Sequence, residues 1–362
     1  MNKRKRILVT PLDWGLEYAA RCIPVITKLQ QYGVDVVLAS EGRPHDLLRK
    51  EFPNLEHIHF PGYAPQTLYE ETLPWAITKK FPAIQKSFHQ EHLATESIIK
   101  HHTIDAVLSD TRLGVYSDTV PSILLIHQLN TLLPAYLRWG ERMVTLAIRK
   151  QCNKFSECWI PDFEGTDNLA GKLSHPQTLP HNSFFIGPIS RVTWTEAKKE
   201  MEILVILSGT EPERTIFEQE IVSQLQQTTH HSIVVRGKPE HSTRLKFSDN
   251  IILVNSLQSD EFSKAIALSN IIVARSGYST IMDLSFAGAK AIFIPSPQQA
   301  EQEYLADELM KKKICYSEPQ EEFSLQRSME KAKEYSGFTH RLSPDHTTLR
   351  QRIEQLLITI GY

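Results

Sequence analysis

Short apolar runs rich in Val, Ile and Leu alternate with helical stretches along the whole chain. The first unit of this kind is Arg6-Ile7-Leu8-Val9-Thr10, a helical stretch over 19–32 and a second apolar run over 34–39. Such runs are typical of parallel strands that helices cover on both faces. The pattern returns at 104–109, 122–126, 202–207, 232–235, 251–254, 271–274 and 291–294. The sequence therefore predicts an α/β fold.

The length of the chain predicts more than one domain. At 362 residues it exceeds one ordinary core and accommodates two Rossmann-sized domains. Gly187-Pro188 indicates a loop in the middle of the chain and precedes a charged stretch over 196–200. We expect a GT-B-like arrangement of two Rossmann-like, doubly wound domains facing each other across a cleft. The boundaries are an N-terminal acceptor-side domain over 1–187, a linker over 188–200, a donor-binding domain over 201–345 and a final helix over 346–362 that can pack back on the N-terminal domain.

Composition excludes several classes of protein. The formal net charge of -2 lacks the basic excess of a nucleic-acid binder. No apolar run approaches the roughly 20 residues that a membrane span needs, and the run after the basic N-terminus is too short for a signal peptide. The 4 cysteines form no C-x-x-C pair, which favours a reducing compartment. The sequence predicts a cytoplasmic location, with a peripheral position at the inner face of the membrane as an extension of it.

The segment Ala274-Arg275-Ser276-Gly277-Tyr278-Ser279-Thr280-Ile281-Met282-Asp283 is the most informative part of the chain. A buried strand ends, Ser276-Gly277 turns, and Ser279 and Thr280 open a helix. Backbone N–H groups at such a helix start can bind a diphosphate, and Asp283, one turn further on, can accept hydrogen bonds from a ribose. An ordinary Ser or Thr helix cap is the alternative interpretation.

The continuation of this segment carries a family resemblance. After an apolar run over 291–294 come Pro295 and an amide- and carboxylate-rich element, Gln298-Gln299-Ala300-Glu301-Gln302-Glu303-Tyr304. The ordered series Arg275, Ser276, Gly277, Thr280, Asp283, Pro295, Gln302, Glu303 and Tyr304 resembles the C-terminal domain of glycosyltransferase family 28. That family includes the N-acetylglucosaminyltransferase that makes lipid II and the plant galactolipid synthases.

The resemblance implies a binding site for a UDP-sugar, which is a co-substrate, and no cofactor. Asp283 would bind the ribose, and Arg275 would be either a counter-charge for the diphosphate or a structural residue. Leu257, after another strand, would lie beside the uracil ring. The diphosphate would meet Ser276, Gly277, Tyr278, Ser279 and Thr280 together with the second loop Ser208-Gly209-Thr210, and the sugar would meet Gln299, Glu301, Gln302 and Glu303.

The N-terminal half resembles a bacterial branch of the same glycosyltransferases. The pieces that carry this resemblance include Asp13-Trp14-Gly15-Leu16, Ser109-Asp110-Thr111-Arg112 and Ile126-His127-Gln128-Leu129. One departure concerns the first loop, where the family has Gly-Leu-Gly-His and this chain has Gly15-Leu16-Glu17-Tyr18. The family's histidine is a candidate general base, and an unperturbed tyrosine titrates too high to replace it.

Three alternatives follow from this departure. Glu17 can have taken over the role of the base; Asp13, Asp110 or His127 can be the base instead; or the chain has lost transferase activity and retains only the binding of the nucleotide sugar. For His127, a hydrogen-bonded structural role is the more common role of a histidine in such apolar surroundings.

We expect no metal site, because the chain has no Asp-x-Asp motif and helix starts can stabilise the leaving diphosphate. The acceptor side is less defined. Segments 129–139 and 73–81 mix bulky apolar residues with Arg and Lys, and either could contact an anionic membrane surface and meet a lipid-linked acceptor. Helices packed on the sheet are the alternative.

The leading hypothesis is a metal-independent transferase that moves a sugar, with N-acetylglucosamine one candidate, from a UDP-sugar to a lipid or saccharide acceptor of the cell envelope. A UDP-sugar hydrolase or epimerase is an alternative, as is a non-catalytic binding subunit of a transferase complex. A nicotinamide dehydrogenase is disfavoured, because no G-x-G-x-x-G follows the first strand of either half.

Overall fold

The computed structural model describes residues 4–62, 74–133, 135–194, 196–241, 243–338 and 347–362. The chain forms two compact units. One comprises residues 1–14, 21–188 and 346–362, and the other comprises residues 15–20 and 189–345. The segment over 73–81, one of the two that the sequence offers for membrane contact, lies largely outside the described residues. Residue 73 is not described, and of 74–81 only the backbone helix is described.

The first unit contains a seven-stranded sheet in which every pair of neighbouring strands is parallel. Its order is β3-β2-β1-β4-β5-β6-β7. The strands are β1 (Arg6–Pro11), β2 (Asp35–Ser40), β3 (Glu56–His59), β4 (Ala106–Asp110), β5 (Ser122–Leu125), β6 (Glu157–Ile160) and β7 (Ser183–Phe185). The helices are α1 (Leu16–Gln31), α2 (Gly42–Glu51), α3 (Pro74–His102) and α4 (Glu141–Cys152), with short 3₁₀ turns at Ala135–Gly140 and Gly171–Leu173.

The second unit repeats this plan with the order β10-β11-β9-β8-β12-β13-β14, and only the edge strand β10 is antiparallel to its neighbour. The strands are β8 (Met201–Ile206), β9 (Ser232–Val235), β10 (Arg244–Lys246), β11 (Ile251–Val254), β12 (Ser269–Ala274), β13 (Ala291–Phe293) and β14 (Tyr316–Ser317). The helices are α5 (Glu213–Leu225), α6 (Ser259–Leu268), α7 (Tyr278–Ala287), α8 (Ala300–Lys311) and α9 (Leu325–Ala332), with a 3₁₀ turn at Gln320–Glu322.

The last helix, α10 (Thr347–Thr359), belongs to the first unit. The Tyr32 hydroxyl donates to the Glu354 carboxylate over 2.6 Å. Arg352 pairs with Glu157 and lies over the Phe184 ring, 3.8 Å from its centre. Leu349, Ile353, Leu356 and Leu357 are buried. Packing of one apolar stripe therefore holds this helix in place, assisted by two polar contacts.

The central strands explain why the chain folds in this way. Every residue of β4 and β5 is buried, as are all but the first residue of β1 and β2. Helices cover both faces of such strands, so the apolar runs are continuous rather than alternating. The predicted α/β fold with two Rossmann-like units is confirmed. Among the described residues, no helix combines the length and apolarity that crossing a membrane requires.

Candidate functional site

The central strands β8 and β12 of the second sheet are neighbours whose chain connections leave in opposite directions. β8 continues through α5 to β9 on one side, whereas β12 continues through α7 to β13 on the other. In open α/β sheets, ligands bind at the carboxyl ends of strands at such a switch point. The loop after β8 contains Ser208, Gly209 and Thr210, and the loop after β12 contains Ser276 and Gly277. Both are segments that the sequence predicts to bind the donor.

The turn from β12 into α7 starts the helix at a glycine. Gly277 caps the helix with extended backbone angles and has no side chain to contribute a capping bond. The first N–H groups of a helix have no partner within it and carry its positive dipole end. Tyr278 and Ser279 are buried and Thr280 is half-buried, and the Ser279 hydroxyl donates to the Glu17 carbonyl over 3.3 Å. A phosphate group matches the chemistry of this helix start.

Arg275, which precedes this turn, has a structural role. Its guanidinium donates to the carbonyl oxygens of Ile294 (2.9 Å) and Pro295 (3.1 Å) and to Gln320 Oε1 (2.7 Å). It also lies over the Phe217 ring, 4.3 Å from its centre, and is almost fully buried. Burial lowers the pKa of Arg275 to about 10, so it remains charged at neutral pH. These contacts favour the structural alternative over a counter-charge for a diphosphate.

Ser276 and Gln302 brace the two loops against each other. The Ser276 hydroxyl donates to the Gln302 carbonyl over 2.8 Å. The Gln302 side chain accepts from the backbone N–H of Ser296 over 2.8 Å and donates to Gln299 Oε1 over 3.0 Å. Ser276 and Gln302 are buried, whereas Gln299 and Glu303 are exposed and Glu301 is half-buried. The exposed pair is therefore better placed than Gln302 to meet a sugar with its side chains.

The loop after β8 has the close backbone approach of a glycine-containing turn. Gly209 and Gly237 have φ of 103° and 66°, a region that favours glycine. Gly237 lies in the neighbouring loop after β9, and a Cβ there would come within 2.6 Å of the Leu207 carbonyl oxygen, so only glycine fits. Ser208 is half-buried and Thr210 is exposed. The neighbouring Glu211 accepts from Arg214 Nε over 2.8 Å, which offsets its negative charge locally.

The loop after β11 is fixed by a buried amide. Asn255 accepts from Arg236 Nη1 over 3.1 Å, and Leu257 is buried. The helix α6 then begins with a capping box between Gln258 and Glu261. These contacts hold the backbone around Leu257, the segment that the sequence predicts to lie beside a uracil ring.

Asp283 lies in α7 and is buried. The Ser190 hydroxyl donates to its Oδ1 over 2.5 Å, and Arg191 Nε lies 3.9 Å from its Oδ2. Burial raises the pKa of the Asp283 carboxyl, an effect that Arg191 and Ser190 oppose. The predicted ribose-binding carboxylate is thus already fixed by two protein side chains.

In the first unit, Asp110 and His127 are both held by Arg21. Arg21 Nε donates to Asp110 Oδ2 over 2.9 Å, its Nη2 pairs with Oδ1, and its Nη1 lies 2.7 Å from His127 Nδ1. All three side chains are buried. Since a guanidinium only donates, Nδ1 must accept, and a neutral imidazole then has its proton on Nε2. These contacts favour structural roles for Asp110 and His127.

Asp13 follows the end of β1 in a different environment. It is half-buried, and its Oδ1 has no hydrogen-bond partner among the described residues. A Cβ at Gly62 would overlap this carboxylate, so glycine provides its space. Burial raises the pKa of Asp13 above its ordinary value; Arg112 opposes this rise, and the acidic Glu41 and Glu91 add to it.

Glu17 lies in the first turn of α1 and is exposed, beside the half-buried Tyr18. Its carboxylate lies against Gly15, at a position where a Cβ would overlap it. Contacts group residues 15–20 with the second unit, in agreement with the bond from Ser279 to the Glu17 carbonyl. Among the described residues, no group of three or more His, Cys, Asp or Glu side chains could hold a metal ion.

Residues 203–347 match the model of the glycosyltransferase family 28 C-terminal domain. The chain therefore contains a glycosyltransferase family 28 C-terminal domain. No curated protein sequence matches it significantly.

Solved glycosyltransferases share the fold of this chain over nearly its full length. CalG4, the calicheamicin glycosyltransferase, has a TM-score of 0.62 at 12% identity, covering 99% of this chain and 100% of its own. SnogD from Streptomyces nogalater has a TM-score of 0.60 at 13% identity, with coverages of 99% and 96%. MurG from Acinetobacter baumannii has a TM-score of 0.54 at 13% identity, with coverages of 98% and 100%. The GT-B fold class is therefore confirmed.

Two residues of this glycosyltransferase escaped the sequence analysis. Arg21 fixes both Asp110 and His127, and Ser190 fixes Asp283. A signal existed for Arg21, because a lone cation among Ala19, Ala20, Cys22 and Ile23 on an apolar helix needs a buried partner. Ser190 gave no such signal, since it follows Gly187-Pro188 in a stretch with the composition of a linker.

Proposed function

We propose that this family 28-type glycosyltransferase moves a sugar, with N-acetylglucosamine the first candidate, from a UDP-sugar to a lipid or saccharide acceptor of the cell envelope. The observation that carries the proposal is the start of α7, where a glycine cap leaves backbone N–H groups at the carboxyl edge of the sheet within the family 28 domain. These donors and the helix dipole would stabilise the leaving diphosphate, as a metal ion does in other transferases.

The remaining donor contacts follow the order of the loops. Asp283 binds the ribose, the backbone near Leu257 binds the base, and the exposed Gln299 and Glu303 contact the sugar. The proposal is supported by the way in which Ser276, Gln302 and Arg275 rigidify these loops through buried hydrogen bonds. A preorganised site loses less conformational entropy when the nucleotide binds.

For the chemical step, we assign the role of general base to Asp13. A base that works near neutral pH needs a raised carboxyl pKa and an oxygen free to take a proton. Burial supplies the first, and for the second, the enclosed Oδ1 accepts no hydrogen bond from the described residues. Asp110 and His127 are engaged with Arg21, and the exposed Glu17 has no comparable burial.

An exposed surface on the first unit supports a lipid acceptor. Trp139, Met143 and Leu146 are 61%, 53% and 53% exposed at helical spacing on the 3₁₀ turn and α4. Exposed Arg138, Arg142 and Lys150 flank them. Large apolar side chains bordered by cations are typical of surfaces that rest on anionic lipid. We therefore place the acceptor at a membrane surface.

Calorimetric titration with UDP, UDP-N-acetylglucosamine, UDP-glucose and ADP tests the donor assignment. We expect binding that is selective for uridine nucleotides and weakened by Asp283→Ala. Glu303→Gln is the matched variant for the sugar, since it should weaken UDP-N-acetylglucosamine while leaving UDP unchanged. Absence of uridine nucleotide binding up to millimolar concentration would sink the proposal.

Binding to phospholipid vesicles that contain phosphatidylglycerol tests the acceptor surface. The double variant Trp139→Ser/Leu146→Ser should lose at least about tenfold in vesicle affinity, because burial of each such side chain is worth about 1.5–3 kcal/mol. Leu93→Ser is the matched control, since Leu93 is 55% exposed on a different helix, α3. Equal losses in both variants would contradict a specific lipid contact.

A further inference from the structure

The junction segment, residues 189–193, is packed as part of the second unit. Ile189, Ser190 and Val192 are buried. The backbone N–H of Thr193 donates to the Ser263 hydroxyl over 3.1 Å, and the Arg191 guanidinium lies over the Phe262 ring, 4.1 Å from its centre. The segment is thus anchored on α6 at two points and has a defined position beside α7.

The hydroxyl of Ser190 has a fixed direction. It accepts from the backbone N–H of Val192 over 2.9 Å and donates to Asp283 Oδ1 over 2.5 Å. A serine hydroxyl has a single proton. The Val192 N–H takes one of the two acceptor positions of the oxygen, and the single proton points to the carboxylate, which can only accept. Ser190 is therefore a donor to Asp283 that the backbone itself orients.

This bond restrains the one torsion of Asp283 that matters for recognition. The terminal torsion of an aspartate is broad, so the carboxylate plane is poorly fixed by rotamer preference alone. Two neighbouring hydroxyls of a ribose can be held by one carboxylate only when its plane is oriented toward both. Each carboxylate oxygen has two acceptor sites, so the Ser190 bond leaves Oδ1 able to accept another hydrogen bond.

We propose that Ser190 is a positioning residue for the ribose of the donor nucleotide, which acts by fixing the plane of the Asp283 carboxylate. The inference rests on the proposed function, in which Asp283 binds the ribose. It adds a residue from the junction segment to a site otherwise built from the loops at the carboxyl edge. Among the described residues, the polar groups that act on the Asp283 carboxylate are the Ser190 hydroxyl and the guanidinium and backbone N–H of Arg191, all from this segment.

The test compares two ligands that differ only at the ribose, UDP and 2′,3′-dideoxy-UDP, by calorimetry. Ser190→Ala should weaken UDP roughly 2- to 10-fold, the net value of one hydrogen bond, and leave 2′,3′-dideoxy-UDP unchanged. Ser190→Thr, which keeps the hydroxyl, should restore the preference for UDP. Ser263→Ala is the matched control, because it removes an anchor of the same segment that does not touch Asp283.

Each other outcome overturns the inference. Equal weakening of both ligands by Ser190→Ala would assign Ser190 a purely structural role. Unchanged UDP affinity in Ser190→Ala, with a loss in Asp283→Ala, would remove Ser190 from the site and leave the proposed function intact. Wild-type UDP affinity in Asp283→Ala would remove the ribose assignment and the inference together. If Ser190→Ala does not fold, the ratio of the affinities for UDP and 2′,3′-dideoxy-UDP is compared between Ser190→Thr and Ser263→Ala. A changed ratio in Ser190→Thr alone supports the inference, and an equal ratio in both variants overturns it.

Discussion

The two sheets have the same plan but opposite chemistry where their central strands end. At the ends of β1 and β4, ionised side chains fill the space: Arg21 pairs with Asp110, and Arg112 pairs with Glu91. At the ends of β8 and β12, the chain instead has Ser208, Gly209, Ser276 and Gly277. A switch point filled by paired charges is neutralised and rigid, whereas one made of small residues leaves backbone donors for an anion. One topology thus carries paired charges in one unit and small residues in the other, where we propose the ligand site.

The largest effect should come from breaking the charge pair of the first sheet. Asp110→Asn leaves the Arg21 guanidinium buried without its counter-charge, so we expect a loss of about 3–5 kcal/mol in the free energy of unfolding. Urea denaturation measures it. Asp249→Asn is the control, since its pair with Lys246 is exposed to solvent and its loss should leave the free energy of unfolding nearly unchanged. A stable Asp110→Asn protein without activity would instead return Asp110 to the list of candidate bases.

In the first unit, Asp13 differs from the paired carboxylates Asp110 and Glu91, because its Oδ1 has no partner among the described residues. Asp13→Asn tests its proposed role as the general base. We expect the rate of UDP release from a UDP-sugar, to water or to an added acceptor, to fall by at least about 100-fold with UDP affinity unchanged. Glu17→Gln is the matched control and should have a much smaller effect.

The pH profile of this rate separates the same candidates. A general base acts as the carboxylate, so the wild-type rate should fall as the pH drops through the pKa of Asp13, which burial raises above its ordinary value. This acid limb should be absent from the residual rate of Asp13→Asn. An unchanged limb in that variant would move the base elsewhere.

In the second unit, the neighbours Gln302 and Glu303 should have different roles: Gln302 stabilises the fold, whereas Glu303 contacts the ligand. Gln302→Ala leaves the buried N–H of Ser296 without its acceptor and should lower the free energy of unfolding by about 1–3 kcal/mol. Glu303→Gln, one residue along and exposed, should change it by less than about 0.5 kcal/mol. Thermal and urea unfolding of the two variants test this division, which equal losses would refute.

The smallest effect is expected for Asp283→Asn, which should stabilise the fold, whereas Asp110→Asn and Gln302→Ala should destabilise it. Because burial raises the pKa of Asp283, the folded state holds this proton more tightly than the unfolded state, and ionisation at neutral pH costs stability. Asp283→Asn keeps an acceptor for Ser190 and should raise the melting temperature slightly at pH 7. The gain should shrink as the pH falls through the folded pKa toward 3.8, the ordinary value. A lower melting temperature at pH 7 would mean that the attraction to Arg191 outweighs burial.

The sequence predicted those parts of the fold and of the candidate site that lie within one continuous segment. The central strands and the turn from Arg275 to Asp283 are contiguous, so their chemistry is visible in one segment. The contacts from Arg21 to Asp110 and from Ser190 to Asp283 join residues 89 and 93 positions apart, and no local pattern contains them. Edge strands such as β10 and β14, with 3 and 2 residues, depend on pairing with a neighbour rather than on their own composition.

The position of α10 has a consequence for the order in which the chain can fold. The first unit takes its last helix from residues 347–359, after the whole of the second sheet has been passed. During synthesis, the second unit can therefore close while the first still exposes the surface around Tyr32, Glu157 and Phe184 that α10 covers. A ribosome-bound chain of this kind can carry a folded second unit beside an incomplete first unit, and the first unit is completed only when α10 packs onto it.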